Sequence, residues 1–166
     1  MADLTIALAG NPNAGKTTIF NVLTGLHQHT GNWPGKTVEK KEGEVQHGNL
    51  KINIVDLPGT YSLTAYSPEE IIARDFIIQE HPDVVINVVD ATNLERNLYL
   101  TVQIMELDVP VVIALNMSDD LDNNGAKINL DQLSQLLGNI PVVSTTANQG
   151  KGISDLISKA VRAAGK

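Results

Sequence analysis

Residues 10–17, Gly10-Asn11-Pro12-Asn13-Ala14-Gly15-Lys16-Thr17, restrict what this chain can fold into more than any other stretch. They fit G-x-x-x-x-G-K-[ST], a loop whose inward-pointing N–H groups cradle nucleotide phosphates. Such a loop works only where a strand hands over to a helix. The flanks supply both, because the apolar run Leu4–Ala9 reads as a strand and Lys16–Leu26 as a helix. Gly10 and Gly15 permit the tight turn, and the helix N-terminus adds positive potential at the same point. Gly10, Asn11, Pro12, Asn13, Ala14, Gly15, Lys16, Thr17 and Thr18 therefore form the first set of expected nucleotide-binding residues. In such a loop the lysine, here Lys16, reaches the β- and γ-phosphates, and the hydroxyl of Thr17 ligates Mg²⁺.

Around this loop, strand-like apolar runs alternate with helical patterns, which predicts an α/β domain with a mostly parallel sheet. The spacing predicts six strands, at Leu4–Ala9, Val38–Gln46, Lys51–Asp56, Val84–Val89, Val111–Leu115 and Pro141–Ser144. One of them, Val38–Gln46, runs antiparallel, because His47-Gly48-Asn49 signals a hairpin turn. About five helices are expected: Lys16–Leu26, a helix capped by Ser67 and running to Glu80, Leu94–Leu107, Leu130–Leu137 and Ile153–Ala164. The segment His27–Thr37 is too polar and glycine-rich for a regular element and reads as a mobile loop, with Trp33 partly exposed in it. At 166 residues the chain reads as one domain, 1–166.

The charge balance narrows the function. The formal net charge is −7, and the only basic cluster is the short Lys36, Lys40, Lys41 group. This counts against nucleic acid or an anionic membrane surface as the main partner. The absence of cysteine excludes disulfides and thiolate metal sites. No apolar run approaches the ~20 residues of a membrane helix, so the sequence reads as soluble and intracellular. His27, His29, His47 and His81 are scattered and read as solvated rather than metal-binding. Arg74 and Arg96 are candidate cis arginine fingers, but they read first as solvated helix residues.

Four further segments point to a guanine nucleotide. Asp56-Leu57-Pro58-Gly59 closes a predicted strand in the form D-x-x-G. Asp56 is expected to hold Mg²⁺ through water and the Gly59 N–H to meet the γ-phosphate, with Leu57 and Pro58 between them. Asn116-Met117-Ser118-Asp119 closes another strand as N-x-x-D. A carboxylate at Asp119 can accept from both N1–H and the 2-amino group of guanine, a donor pair that adenine lacks. Asn116 would tie this loop to the first one, and Met117 would cover one base face without adding charge. Thr145-Thr146-Ala147 follows the last strand and fits a backbone segment whose N–H meets guanine O6. Thr37, preceded by Gly35 and Lys36, is the candidate switch threonine, with Mg²⁺ and γ-phosphate as its contacts; Gly31 and Gly35 would let the loop order and release.

In this order the five segments resemble the Ras-like, translation-factor-class P-loop GTPases. Closer still, Gly10–Thr18, Gly31–Gly43, Asp56–Leu63 and Asn87–Leu100 are similar to the N-terminal G domain of the bacterial ferrous-iron transport protein B family. The resemblance covers essentially the whole chain. It implies GTP and GDP as ligands, and a helical regulatory domain and a membrane region as partners that follow in the family. It implies work at the cytoplasmic face of the bacterial inner membrane and a possible oligomer through the membrane region. It also implies a K⁺ site, in which Asn13 helps bind K⁺ beside the phosphates. Two positions depart from the family pattern: Lys36 stands where an apolar residue is usual, and Ala14 where serine is common.

For mechanism, the expected catalytic residues are Lys16, Thr37, Gly59 and Asn13, with Thr17, Thr37 and Asp56 toward Mg²⁺ and Asn13 toward K⁺. The glutamine that orients water in Ras-type enzymes is replaced by Thr60. Slow hydrolysis with water held by switch backbone is the reading that follows, and Met117 in place of lysine predicts fast GDP release. Two other functions share these motifs: a ribosome- or RNA-assembly GTPase, and a nucleotide-sensing domain with negligible hydrolysis.

Overall fold

The computed structural model describes residues 2–166. Its centre is a seven-stranded sheet in the order β2-β3-β4-β1-β5-β6-β7. The strands are β1 Leu4–Gly10, β2 Gln28–Asn32, β3 Glu39–His47, β4 Leu50–Asp56, β5 Val84–Asp90, β6 Val111–Asn116 and β7 Val142–Ser144. Only β3 runs against the rest, since its pairings with β2 and β4 are antiparallel and all others are parallel. Six α-helices accompany the sheet: α1 Lys16–Thr24, α2 Pro68–Glu80, α3 Leu94–Met105, α4 Ser118–Asn123, α5 Leu130–Leu136 and α6 Ile153–Ala163.

Central strands are buried on both faces, as a parallel sheet covered by helices requires. Alternation along β1 divides the core. Ile6 and Leu8 pack with Ile19, Phe20 and Leu156 on the α1–α6 side, while Ala7 and Ala9 pack with Ile72, Ile77, Leu100 and Ile104 on the α2–α3 side. Register brings the motifs together. Leu8 pairs with Asp56, Gly10 with Val88, Asp90 with Asn116, and Leu115 with Ser144. The carboxyl ends of five parallel strands thus meet at one edge of the sheet, where ligands bind in open α/β folds.

The sheet has seven strands rather than six because part of the expected mobile loop is β2. Its residues, Gln-His-Thr-Gly-Asn, have no apolar pattern and are mostly exposed. The strand is defined by its backbone ladder to β3, from Gln28 opposite Gly43 to Asn32 opposite Glu39. Gly43 is required there, because a Cβ would lie 2.4 Å from Thr24 Cγ2 and 2.9 Å from His27 O. Trp33 is also not the partly exposed residue expected. It is 7% exposed, stands edge-on to Phe76 at 5.7 Å, and carries the Lys40 ammonium over its ring at 4.7 Å. The sixth helix, α4, has no apolar periodicity to signal it. Ser67 caps α2 as expected, its Oγ accepting from the Glu70 N–H at 3.1 Å.

Candidate functional site

The loop between β1 and α1 is shaped by contacts that leave no room for larger residues. A Cβ on Gly10 would stand 2.8 Å from Val88 O. Asn13 takes a left-handed φ of 69°, which asparagine tolerates, and Ala14 N donates to Asn11 O at 3.2 Å. Gly15 has φ 95°, and a Cβ there would fall 2.0 Å from Asn116 Nδ2. The resulting cleft has a volume of about 520 Å³ and is lined by Asn11, Pro12, Asn13, Gly15, Lys16, Thr17, Thr18, Gly59 and Met117. Ala14 faces the interior at 1% exposure.

β4 delivers the D-x-x-G segment to this cleft. Lys16 Nζ donates to Asp56 Oδ1 at 2.5 Å, with both side chains buried. Leu57 N donates to Leu8 O and Thr60 N to Gly10 O, each at 3.0 Å, so the segment is laced to the end of β1. Leu57 is fully buried beneath it and Pro58 is half-buried. Gly59 lies against Pro12, where a Cβ would approach Pro12 Cα to 3.2 Å.

β6 delivers the N-x-x-D segment to the other side. Asn116 is 3% exposed and uses its whole amide: Nδ2 donates to Ala14 O at 3.0 Å, and Oδ1 accepts from Thr145 Oγ1 and Ala147 N, each at 3.1 Å. One side chain therefore joins the phosphate loop to the segment after β7. Beside it lies a slot of about 160 Å³ lined by Gly15, Thr18, Asn116, Met117, Asp119, Asp120, Thr146, Ala147 and Asn148. Among the described residues Asp119 has only a long contact, from Gln149 Nε2 at 3.5 Å, so its carboxylate remains able to accept from a base. Met117 reaches the slot with a left-handed φ of 62°. The 145–147 amides, expected to meet guanine O6, have partners within the protein in this structure. Thr145 N donates to Leu115 O, Thr146 N to Lys151 O and Ala147 N to Asn116 Oδ1. All three are engaged within the protein, and Asn148, which the motif reading left out, lines the slot.

The switch residues are not gathered at the cleft. Gly35, Lys36 and Thr37 are exposed in a turn held by Lys36 N on Trp33 O at 2.9 Å and Trp33 N on Val38 O at 3.0 Å. Lys36 instead borders a groove of about 500 Å³ between the β3–β4 face of the sheet and α2, with Trp33, Pro34 and Phe76. The segment after Gly59 lies along α3. Tyr61 is stacked by the Arg96 guanidinium at 4.4 Å, and Leu63 N donates to Gln103 Oε1 at 2.5 Å. Glu70 accepts from Ser62 Oγ and from Thr64 Oγ1. The Ser62 hydroxyl, helped by Ser67 and Thr64 against partial desolvation, holds the Glu70 carboxyl below its ordinary 4.5. Gln103, Asn148 and Gln149 carry no motif, so only the fold brings them to notice, and Arg96, read from the sequence as a helix residue, is found over Tyr61.

A family model described as "Ferrous iron transport protein B" matches residues 4–160. The Fe(2+) transporter FeoB of Escherichia coli K12 is 51% identical over 160 residues, covering 94% of this chain and 21% of that protein. The Fe(2+) transport protein A/FeoB fusion protein of Porphyromonas gingivalis is 54% identical over 154 residues, covering 92% of this chain and 18% of that protein. The chain thus spans about a fifth of the length of these relatives. Among solved structures, the FeoB G-domain of Methanococcus jannaschii superposes with a TM-score of 0.88 at 49% identity, covering all of both chains. A mutant of S. thermophilus NFeoB bound to GDP superposes with a TM-score of 0.92 at 53% identity, covering 96% of this chain and 62% of that one.

Proposed function

Because the chain belongs to the ferrous iron transport protein B family, as its GTP-binding domain, we propose that it is a slow, potassium-stimulated GTPase that controls ferrous-iron uptake by a membrane part of the same polypeptide. It would act at the cytoplasmic face of the bacterial inner membrane. The observation that carries the nucleotide part is Asn116, whose one amide binds the phosphate loop at Ala14 O and the base-side segment at Thr145 and Ala147. A base in the Asp119 slot then has its phosphates over Gly15, Lys16 and Thr17 by construction. The iron link rests on the family.

Each residue has a task in this reading. Asp119 accepts from guanine N1–H and the 2-amino group. Lys16 leaves Asp56 for the β- and γ-phosphates, which frees the Asp56 carboxylate. Thr17 Oγ1, the Asp56 carboxylate and, once switch I has moved inward, Thr37 Oγ1 are hard oxygen donors of the kind Mg²⁺ takes. Bound there, Mg²⁺ would neutralise charge between the β- and γ-phosphate oxygens. Asn13 stands exposed at the cleft mouth and offers an amide oxygen to K⁺. Beside the phosphates, K⁺ would supply the positive charge that an arginine finger supplies elsewhere. Thr60 is 5% exposed, which supports a water held by switch backbone rather than by its side chain.

The test is GTP turnover at fixed Mg²⁺ in KCl against matched NaCl, for the chain and for Asn13→Ala. Faster turnover in KCl that Asn13→Ala abolishes, with GDP binding kept, supports the reading. Equal slow rates in both salts reduce Asn13 to a turn residue and return weight to the assembly-GTPase and nucleotide-sensing readings.

A further inference from the structure

We infer that Arg96 is a positioning residue that holds switch II against the phosphate loop by stacking on Tyr61. The inference rests on the GTPase reading for its kinetic consequence and on geometry alone for the contact. The Arg96 guanidinium lies 4.4 Å from the Tyr61 ring centroid. Tyr61 is 47% exposed and follows Thr60, whose N–H is bonded to Gly10 O at 3.0 Å. The stack therefore closes over the point where the D-x-x-G segment meets the phosphate loop. Tyr61 and Arg96 together wall a pocket of about 210 Å³ whose floor is Asn11–Ala14.

Arg96 is held in place by the start of α3. Asp90, at the end of β5, accepts from Thr92 N at 2.8 Å and Thr92 Oγ1 at 2.6 Å. Asn97 Oδ1 accepts from Asp90 N at 3.1 Å, and Asn97 Nδ2 donates to Asn93 O at 2.9 Å. These bonds fix the first turn of α3 to the strand end that pairs with Asn116. Arg96 and Gln103 are seven residues apart and share one helix face. Gln103 Oε1 takes Leu63 N, so α3 grips switch II at two points two residues apart in switch II. Arg96 shares the 210 Å³ pocket with Asn11–Ala14 on the outer side of the phosphate loop but lines neither the phosphate cleft nor the base slot. It therefore acts on hydrolysis through Tyr61 and the Thr60 backbone, and nucleotide affinity does not depend on it.

Two measurements on the whole chain decide this. The first is amide hydrogen exchange at residues 59–63 with GDP bound. Arg96→Ala and Tyr61→Ala should each speed exchange of the Thr60 amide, and Arg96→Lys, which keeps a cation over the ring, should restore most of the protection. The second is single-turnover hydrolysis at saturating GTP. An exposed cation–π contact corresponds to roughly a two- to fivefold effect, so each alanine variant should lower kcat by about that factor with the GDP Kd unchanged. The double variant should fall no further than either single one. Unchanged Thr60 exchange in Arg96→Ala overturns the inference. So does a double variant whose loss is the product of the two, because Arg96 would then act on the nucleotide directly. A wild-type chain with no turnover removes the GTPase reading itself, and the exchange experiment still decides the contact.

Discussion

Lys16 Nζ lies 2.5 Å from Asp56 Oδ1, and the two side chains are only 9% and 8% exposed. The cation that the proposed function assigns to phosphate and the anion it assigns to Mg²⁺ neutralise one another here. A nucleotide must therefore part the pair as it enters, and each charge then finds a replacement partner. Removing only the lysine should leave a buried carboxylate without a counter-charge. Breaking a buried pair from one side costs about 3 kcal/mol. Lys16→Met should lose roughly that much stability without nucleotide, measured by urea unfolding, and adding Asp56→Asn should recover much of it. Stability unchanged in Lys16→Met would show that water already screens the pair.

Gly15 is a second position where the proposed nucleotide site and the fold depend on one residue. Its φ of 95° and a Cβ position 2.0 Å from Asn116 Nδ2 make alanine there both strained and obstructive. Left-handed backbone costs a non-glycine residue about 1–3 kcal/mol. The displaced Asn116 would in addition lose its bond to Ala14 O. Gly15→Ala should lower stability by roughly 3 kcal/mol, seen as a drop in Tm, and should abolish GDP binding by calorimetry. Gly35→Ala is the control. It too has positive φ, at 70°, but nothing lies within 4 Å of its Cβ, so its cost should be limited to backbone strain.

What was legible in the sequence follows the strength of local signals. β1, β4, β5 and β6 are apolar runs, and the motifs that follow β1, β4 and β6 stand at the strand ends that the runs predict. β2 is invisible because an exposed edge strand is made by its ladder, not by its side chains. Trp33 reads as a loop residue because the residues that bury it, Phe76 and Lys40, are remote or across the turn. The partners of the Thr145, Thr146 and Ala147 N–H groups, Leu115, Lys151 and Asn116, depend on how β7 and the following turn close on β6, so no local signal shows them. Arg96 over Tyr61 is likewise a tertiary fact, since neither residue has a local reason to be where it is.

Glu70 links switch II to α2 through Ser62 and Thr64, and its carboxyl sits below 4.5 chiefly because the Ser62 hydroxyl bonds the charged form. A depressed carboxyl pKa contributes stability that is fully present above the unfolded value and is lost as pH falls through the folded value. The contribution is thus whole above 4.5 and disappears below it. Glu70→Gln keeps an acceptor for Ser62 but cannot titrate. The Tm difference between wild type and Glu70→Gln should be largest near neutral pH and shrink as the medium is acidified below 4.5. A difference that stays constant across that range would mean the pair is not coupled to protonation.

On the proposed reading, Asp119 is the residue that selects the base in the slot. Its carboxylate is contacted only at 3.5 Å by Gln149, so it can offer two oxygens to two donors on guanine. Asparagine would turn one of those oxygens into an NH₂ group facing the 2-amino group. A hydrogen bond to a charged group is worth about 1.5–3 kcal/mol, so Asp119→Asn should weaken GDP by at least tenfold. Xanthine carries an oxygen where guanine has the 2-amino group, and its diphosphate should bind the variant better than it binds wild type. The fold should be unaffected, because Asn116, not Asp119, joins the loops at Ala14, Thr145 and Ala147. Titration calorimetry with both diphosphates on both proteins checks this. If GDP binds Asp119→Asn as tightly as wild type, the base lies elsewhere than in the slot between Gly15 and Ala147.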